Sequence, residues 1–400
     1  MTDVRNVKRN LRLYAWGKIF SMRVYLPLTN VYLVEVGHLT IAQIGILGAA
    51  AAITTLVANV PSGYIADRFT RKSTMLTATG FMAVSTALFA IAPTFPVALL
   101  ATILSFIGYA FYSGAGEALV HDTLAESGEE DDYIKVMGRA QSFGLVGNVV
   151  LVGLVPLTYV IDKRLPFVFG TVAALIFMAV TARMVEPRRP AFEAEHHNPA
   201  IDLYLGLRRL VGRHTFMIFM ATGLVSAIYL AQGSFNNLVF FDLGFNPELL
   251  GLMFAASSAI AALGGWFLHY LRRLTLPMYA AIDVVIAAGA VIAMGVSRSL
   301  VVAIIAFLIN MSFWRFRKIM YQDYMLKRFS GHNNKAMLIS TLGFFESVNA
   351  AWMPFAFVAA IAAGGYYQGY TVVGVALAVL FGLAFWAGFA ALGKRKLLPA

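Results

Sequence analysis

The chain has 400 residues, of which 60% are hydrophobic and only 13% are charged. Water-soluble domains carry about 25% charged residues, so this composition excludes a soluble globular protein and indicates a chain that lies mostly in lipid. The net charge of +11 would suggest a nucleic-acid partner if the chain were soluble. The absence of cysteine excludes disulfides, thiolate nucleophiles and iron–sulfur clusters.

Apolar stretches long enough to cross a bilayer recur along the whole sequence. A helix needs about 20 apolar residues to span the hydrocarbon core. The first stretch covers residues 12–36 and is too long and too rich in tyrosine for a cleaved signal peptide. Eleven more follow, near residues 41–66, 74–92, 97–120, 137–161, 167–185, 213–241, 248–270, 276–297, 299–325, 336–362 and 369–392. The sequence therefore predicts an all-α integral membrane protein with twelve transmembrane helices.

Basic residues predict the orientation, because cytoplasmic loops are enriched in lysine and arginine. Of the 31 basic residues, 21 fall in termini and loops that share one side, and three, Lys163, Arg164 and Arg298, fall on the other. Both termini are therefore expected in the cytoplasm, and the positive charge needs no nucleic-acid partner. The other seven lie within or at the ends of spans: Lys18, Arg23, Arg139, Arg183, Arg315, Arg317 and Lys318.

A polar stretch divides the sequence into two similar halves. Residues 187–212 are expected to form a cytoplasmic linker between six-helix bundles at residues 1–186 and 213–400. Features recur in the same order at an offset of about 200 residues. Asp122 and Asp323, for example, end the fourth and tenth spans and lie 201 residues apart. Repeats of six spans are typical of secondary transporters, whose substrate site lies between the halves.

The loop after the second span carries a motif that resembles a family signature. It reads GYIADRFTRK from Gly63 to Lys72, and is similar to the Gly-x-x-x-Asp-Arg-x-Gly-Arg-Lys pattern of the major facilitator superfamily. Thr70 stands where the pattern usually has glycine, so the turn is less free to adopt positive φ. A degenerate copy, with His269 in place of the acid, lies between Gly265 and Arg273. The resemblance covers the whole chain and implies two pseudo-symmetric six-helix bundles, no enzymatic activity and no cofactor.

In this family the motif's acid and second base are thought to hold an inner gate with an acid that ends the fourth span. The resemblance therefore implies a gating latch whose charge contacts break and re-form. Its residues are Gly63, Asp67, Arg68, Arg71 and Asp122 in the first half and Arg272, Arg273 and Asp323 in the second. The alternative is that the bases of the motif only anchor the topology.

Charged residues inside the spans are the main candidates for substrate contact, because an ionisable group at the bilayer centre costs about 2.5–3.5 kcal/mol on insertion scales. The resemblance places the first, fourth, seventh and tenth spans around the cavity. Arg23 lies roughly 16 Å along the first span from Arg12 and is the leading candidate, with a structural ion pair to Glu346 as the alternative. The substrate-binding candidates are Lys18, Arg23, Tyr25, Tyr229, Gln232, Trp314, Arg317 and Lys318.

Two carboxylates are candidates for proton coupling. Glu117 lies five residues before Asp122 on the fourth span, and Glu346 lies on the eleventh. Each is either a proton carrier whose ionised form the nearby bases stabilise or a partner in a permanent salt bridge. Asp283, on the ninth span, is interpreted as structural.

The outer half of the seventh span is polar and interrupted by Gly233. Such a stretch fits a helix that bends or unwinds to gate the outside, or one whose polar groups simply pack against neighbouring helices.

A pocket with more bases than acids favours an anionic or zwitterionic solute. We therefore predict a proton-coupled secondary transporter of a small organic solute, monomeric, in the plasma (inner) membrane, with sodium as the alternative ion. A multidrug–proton antiporter for efflux of amphipathic compounds is a second hypothesis, although spans four and five lack its usual features. A non-transporting receptor or a lipid flippase on the same fold is a third. The sequence has no metal-ligand spacing and no catalytic constellation.

Overall fold

The computed structural model describes residues 4–21, 23–68, 70–187, 213–264, 274–329 and 335–392, and every regular element in them is helical. The α-helices are α1 Val4–Phe20, α2 Thr29–Glu35, α3 Ile41–Arg68, α4 Arg71–Ile91, α5 Phe95–Ser127, α6 Tyr133–Leu154, α7 Leu165–Ala182, α8 Arg213–Asp242, α9 Leu250–Gly264, α10 Leu276–Ser297, α11 Leu300–Phe329 and α12 Lys335–Leu392. Short 3-10 helices occupy Leu26–Leu28, Glu130–Asp132, Val155–Val160 and Pro247–Leu249. The prediction of an all-helical protein is confirmed.

Within these residues, eight helices are long and apolar enough to cross a membrane, and two shorter apolar helices lie at Pro247–Ala261 and Leu300–Trp314. The last apolar segment, Leu342–Leu383, has 42 residues and is about 63 Å long at 1.5 Å per residue, twice the hydrocarbon core of about 30 Å. The helical backbone breaks at Gly364 and Gly365, where Gly365 adopts φ 78°. Glycine tolerates this φ without a steric penalty. The break separates the predicted eleventh and twelfth spans.

Large apolar side chains cover the outward faces of the helices. Val146, Val285 and Trp386 are each about two-thirds exposed, at 67%, 69% and 71%. Exposed apolar surface on this scale would cause aggregation in water, but a bilayer solvates it. The exposed faces therefore agree with the membrane location that the composition predicts.

The chain forms two compact units. The first unit comprises Met1–Thr40, Thr54–His196 and Asn246–Ala255, and the second comprises Ile41–Ile53, His197–Phe245 and Ala256–Ala400.

In the first unit, α4 packs against α5 and α7, and α1 packs against α6. Two glycines of α6 allow the close approach to α1. A Cβ atom at Gly144 would lie 2.7 Å from Cβ of Lys18, and one at Gly147 would lie 2.7 Å from Cγ2 of Ile19. Larger residues would push α6 away from the segment of α1 that carries Lys18.

In the second unit, α8 and α10 both pack against α12. The rings of Phe235 on α8 and Phe357 on α12 stack with centroids 5.5 Å apart. The hydroxyl of Tyr370 donates a hydrogen bond of 2.9 Å to Oδ1 of Asn236. Aromatic packing and a buried polar contact thus join the same pair of elements.

A buried asparagine ties together three elements of the first unit. Asn10 on α1 is fully buried, and its amide donates to the carbonyl of Val185 (2.7 Å) and to Oγ1 of Thr123 (3.2 Å). Its Oδ1 accepts from the backbone N–H of Val185 at 2.8 Å. Asn10 therefore fixes α1 to α5 and to the chain that follows α7.

We expect Asn10→Ala to lower the free energy of unfolding by about 2 kcal/mol or more, because it leaves buried backbone groups without partners. Chemical unfolding of the purified protein in mild detergent measures this. Asn246→Ala is the matched control, since Asn246 is exposed and its side chain caps no helix; its effect should stay within about 0.5 kcal/mol. Equal effects of the two substitutions would contradict the role of Asn10 in joining these elements.

Candidate functional site

The first predicted span is not one continuous helix. α1 ends at Phe20, and regular structure resumes only at Leu26, so Arg23 lies in the interruption. The hydroxyl of Tyr109 donates to the carbonyl of Ser21 (2.6 Å), and Oγ of Ser21 donates to the carbonyl of Lys18 (3.0 Å). Irregular backbone at membrane depth requires such satisfaction of its polar groups. The sequence predicts the span but not the break.

Arg23 is held by aromatic rings. Its guanidinium carbon lies 4.6 Å from the ring centroid of Phe106 and 4.6 Å from that of Tyr109, both on α5. A cation over a ring face is attracted by the ring quadrupole and keeps its charge. Among the described residues, Arg23 makes no ion pair within 4.0 Å. It therefore remains a positive centre at the break in the first span.

A second cation and an acid lie on the same two helices. Nζ of Lys18 lies 5.3 Å from the ring of Tyr14 and 5.2 Å from that of Tyr112, and Glu117 interacts with Lys18 electrostatically. Glu117 is exposed, together with Ser113, Gly114 and His121 on one face of α5. This face is polar, so water solvates it more favourably than lipid tails do.

In the second unit, α8 and α11 bring together three predicted substrate contacts, Tyr229, Gln232 and Trp314, and the neighbouring Asn310. The rings of Tyr229 and Trp314 lie 4.9 Å apart, and the amide of Asn310 donates to Oε1 of Gln232. Helix α8 continues through Gly233 without a break. The helix is thus not unwound in this structure, and its role in gating stays a prediction.

Arg317 and Asp283 form a fully buried ion pair between α11 and α10. Nε of Arg317 lies 2.8 Å from Oδ2 of Asp283, whose side chain has no exposed surface. The guanidinium also donates to Oγ of Ser226 and, at 2.8 Å, to the carbonyl of Thr222, both on α8. The hydroxyl of Tyr321 donates to the same carboxylate oxygen at 2.8 Å. The pair thus joins three helices and neutralises Arg317, whose contact with substrate stays a prediction.

The predicted latch residues Arg71 and Asp122 of the first unit form an ion pair, and Glu186 adds a second carboxylate at the start of α4. Nε of Arg71 lies 3.3 Å from Oδ2 of Asp122, with both side chains about 15% exposed or less. Both oxygens of Glu186 accept from the first backbone N–H groups of α4, those of Arg71 (2.7 Å) and Lys72 (2.8 Å). A carboxylate at a helix N-terminus is stabilised by the unpaired N–H groups and the helix dipole. Sequence reasoning missed Glu186, although it lies four residues after the α7 helix.

Thr70 explains the departure from the family motif. It is the N-cap of α4 in an extended conformation, φ −80° and ψ 149°, and its hydroxyl accepts from the N–H of Ser73 at 3.0 Å. Threonine is a favoured N-cap, so this position requires no positive φ and no glycine.

The other site predictions have mixed placements. Tyr25 is buried between the rings of Phe89 and Phe167, Glu346 on α12 is partly exposed, and both roles stay predictions. Several candidates lie outside the described side chains: Gly63, Asp67, Arg68, Arg272, Arg273, Lys318 and Asp323.

We expect Arg317→Met alone to lower the free energy of unfolding by about 3–5 kcal/mol, because it leaves the Asp283 carboxylate buried without a counter-charge. The double variant Asp283→Leu/Arg317→Met should recover most of the loss, since no charge remains. Chemical unfolding in detergent compares the three proteins, with Lys163→Met at the half-exposed Glu35 pair as a control expected to cost about 1 kcal/mol or less. Additive effects of the two substitutions would contradict this pairing.

Comparison with known proteins gives consistent matches over most of the chain. A model of the Major Facilitator Superfamily matches residues 15–354. The uncharacterized MFS-type transporter YxaM of Bacillus subtilis (strain 168) is 23% identical over 261 residues, 64% of this chain and 62% of YxaM. Multidrug resistance protein 1 of the same strain is 26% identical over 243 residues, 60% of this chain and 59% of that protein. The alignments thus span about three-fifths of these relatives.

Solved structures share the fold over nearly the full chain. A mutant of the nucleoside transporter NupG aligns with a TM-score of 0.78 at 14% identity, covering 98% of this chain and all of that one (100%). A bacterial homolog of the human lysosomal transporter Spinster, in an inward-facing and unoccupied conformation, aligns with a TM-score of 0.73 at 17% identity, covering 99% of each chain. At these identities the likeness establishes the fold alone. Because the family model matches far more than half of the residues, this chain belongs to the major facilitator superfamily of membrane transporters, which are not enzymes.

Proposed function

We propose that this protein is a secondary active transporter that moves a small anionic or zwitterionic organic solute by alternating access, coupled to protons. The observation that supports this most is the exposed Glu117 carboxylate on α5, within electrostatic range of Lys18. Arg23 supplies a second cation at the break between α1 and α2. A carboxylate-bearing solute would find two cationic partners here, Lys18 on α1 and Arg23 in the break that follows α1.

Lys18 and Arg23 suit the recognition of a carboxylate. The flanking rings hold each cation in place without neutralising it, and neither base forms an ion pair within 4.0 Å among the described residues. A charge-assisted hydrogen bond to a carboxylate is about twice as strong as a neutral one. The carboxylate of the solute would therefore supply the ion-pair partner that these bases lack among the described residues.

Glu117 gives a physical route to proton coupling. When ionised, it stabilises Lys18; when protonated, it leaves Lys18 without its acidic neighbour. A solute carboxylate at Lys18 would therefore bind more tightly when Glu117 carries a proton. Because such linkage is reciprocal, the bound solute would also favour protonation of Glu117. For an anionic solute this coupling predicts proton symport.

The ion pair of Arg71 and Asp122 would act as the latch at the cytoplasmic end. Its placement there rests on the distribution of basic residues, which favours both termini in the cytoplasm. The protein would act as a monomer in the plasma membrane. Glu186 would keep the N-terminus of α4 in register while the ion pair breaks and re-forms.

Multidrug–proton antiport is the second candidate, favoured by the partial similarity to Multidrug resistance protein 1. An amphipathic cation would bind the aromatic rings and compete with the proton for Glu117. The direction of proton movement separates the two candidates, because symport acidifies the compartment that the solute enters and antiport makes it more alkaline.

We expect Glu117→Gln to abolish solute-driven proton flux while solute exchange at equal concentrations persists. A pH-sensitive dye inside proteoliposomes measures the proton flux with and without sodium. The solute is the anionic metabolite that most raises the Tm of the purified protein in a thermal-shift screen. Glu129→Gln, at the exposed ion pair with Lys8, is the matched control and should behave as wild type. Unchanged proton flux in Glu117→Gln would show that Glu117 takes no part in coupling. Solute flux that depends on sodium would show that sodium, and not the proton, is the coupling ion.

We expect Arg71→Asp to reduce the transport rate at least tenfold, because it places like charges together at Asp122. The exchange Arg71→Asp/Asp122→Arg should restore part of that rate. Membrane insertion, monitored with a fluorescent protein fused to the chain, should be unaffected in all variants. Lys135→Asp, at an exposed surface pair, serves as the control for charge reversal. Full transport by Arg71→Asp would show that this ion pair only anchors the topology.

A further inference from the structure

Helices α1 and α6 of the first unit lie side by side and run in the same direction. Their contacts advance together along both helices, from the rings of Trp16 and Phe143 to Ile19 and Gly147. A residue one turn before Trp16 therefore lies level with a residue one turn before Phe143.

Two exposed arginines occupy these level positions. Arg12 lies four residues before Trp16, and Arg139 lies four residues before Phe143. Residues four apart share a helix face, so each arginine lies about 6 Å along the axis from its aromatic neighbour. Neither arginine forms an ion pair within 4.0 Å among the described residues. Because the axes of packed helices are only about 8–10 Å apart, the two guanidinium groups can reach one anion.

The lysines one turn before these arginines are different, because each has an acid as its partner. Nζ of Lys8 on α1 lies 2.8 Å from Oε1 of Glu129, and Nζ of Lys135 on α6 lies 3.2 Å from Oδ1 of Asp132. The chain thus supplies acids for the outer bases of this surface and leaves the next turn positive. A positive pair of this kind suits an anion from outside the chain.

Beyond the arginines the same surface becomes aromatic and then apolar. Trp16 and Phe143, which we call the ring pair, meet edge to face with centroids 5.3 Å apart and are 54% and 43% exposed. The face of α6 continues with Val146, Val150 and Leu154, each more than half exposed. Tryptophan favours the boundary between headgroups and acyl chains. The order of cations, rings and apolar side chains therefore matches a phospholipid from its phosphate to its acyl chain.

This surface is separate from the face of α1 that carries Lys18. At 3.6 residues per turn, Trp16 and Lys18 point about 200° apart around the helix. Lys18 lies over the rings of Tyr14 and Tyr112, which are buried within the unit, whereas Trp16 is exposed. A ligand at the two arginines would therefore not occupy the position proposed for the solute.

We propose that Arg12 and Arg139 bind the phosphate of an anionic phospholipid, whose acyl chain lies over the ring pair and the apolar face of α6. Basic side chains between transmembrane helices suit such headgroups, and a planar guanidinium offers two parallel hydrogen bonds to a phosphate. Because one lipid contacts both helices, it holds α1 against α6 in addition to their close packing at Gly144 and Gly147.

Native mass spectrometry of the detergent-purified full chain measures the Kd of the first bound lipid. The probes are dioleoylphosphatidylglycerol, which is anionic, and dioleoylphosphatidylcholine, which has the same acyl chains and a phosphate but no net charge. We expect the wild type to bind phosphatidylglycerol at least about fivefold more tightly, since one base near an anionic headgroup contributes about that factor. Inorganic phosphate in excess should not displace this lipid, because it makes none of the apolar contacts.

The double variant Arg12→Gln/Arg139→Gln should bind the two lipids equally. Lys8→Gln/Lys135→Gln is the matched control, because it removes the same charge from the same two helices one turn away. Those lysines already have acidic partners, so the control should keep the preference for phosphatidylglycerol.

Tryptophan quenching locates the lipid without changing either arginine. Brominated acyl chains quench nearby tryptophans, and Trp16→Phe identifies the share of the signal that belongs to Trp16 among the five tryptophans of the chain. The protein is reconstituted in vesicles that contain the same fraction of either brominated phosphatidylglycerol or brominated phosphatidylcholine. We expect phosphatidylglycerol to quench Trp16 more strongly.

Equal Kd values for the two lipids in the wild type, a preference that survives in the arginine variant, or equal quenching of Trp16 by the two brominated lipids would overturn the proposal. Loss of the preference in the lysine control would also overturn it, because the effect would then follow from net charge alone. Displacement of phosphatidylglycerol by inorganic phosphate would show a simple anion site, and would contradict binding of a lipid.

Discussion

Every charge inside the bilayer needs a partner, and this constraint determines how the helices of each unit are joined. In the second unit, Arg317 and Asp283 satisfy it directly, with a contact of 2.8 Å and almost no exposed surface. The cost of removing both ions from water is offset only when the geometry is good and further hydrogen bonds are made. Ser226, Thr222 and Tyr321 supply those bonds, so α8, α10 and α11 are held together by one charge network.

The first unit meets the same constraint differently. Lys18 and Arg23 lie over tyrosine and phenylalanine rings, which hold a cation without cancelling its charge. Among the described residues, the acid that acts on Lys18 is Glu117, which is exposed on α5. In the part of the chain that the structure describes, the second unit thus neutralises the buried cation Arg317 internally, while the first keeps two cations and an acid available. This difference is the physical basis for proposing an ionic contact with the solute in the first unit.

Some of this could be predicted from the sequence. Composition and the length of the apolar stretches indicate the helical membrane fold, and the motif at Gly63–Lys72 identifies Arg71 and Asp122 as candidates that the structure brings into contact. The pairing of Arg317 with Asp283 could not be predicted, because it depends on how α10 and α11 are rotated about their axes. The break at Ser21–Tyr25 and the cap by Glu186 depend on contacts more than 80 residues apart in sequence. Thr70 shows the reverse case: the family pattern has a glycine here, which can adopt positive φ, but Thr70 caps α4 in an extended conformation.

The central claim is that the transported solute is anionic or zwitterionic and that its binding is linked to protonation. A thermal-shift screen of the purified protein, with anionic, zwitterionic, neutral and cationic compounds at pH 5.5 and 7.5, tests it most directly, because a ligand that binds the folded state raises Tm. The account predicts that carboxylate-bearing compounds raise Tm, and that an anionic ligand does so more at the lower pH. Stabilisation by amphipathic cations alone, or by anions equally at both pH values, would contradict it.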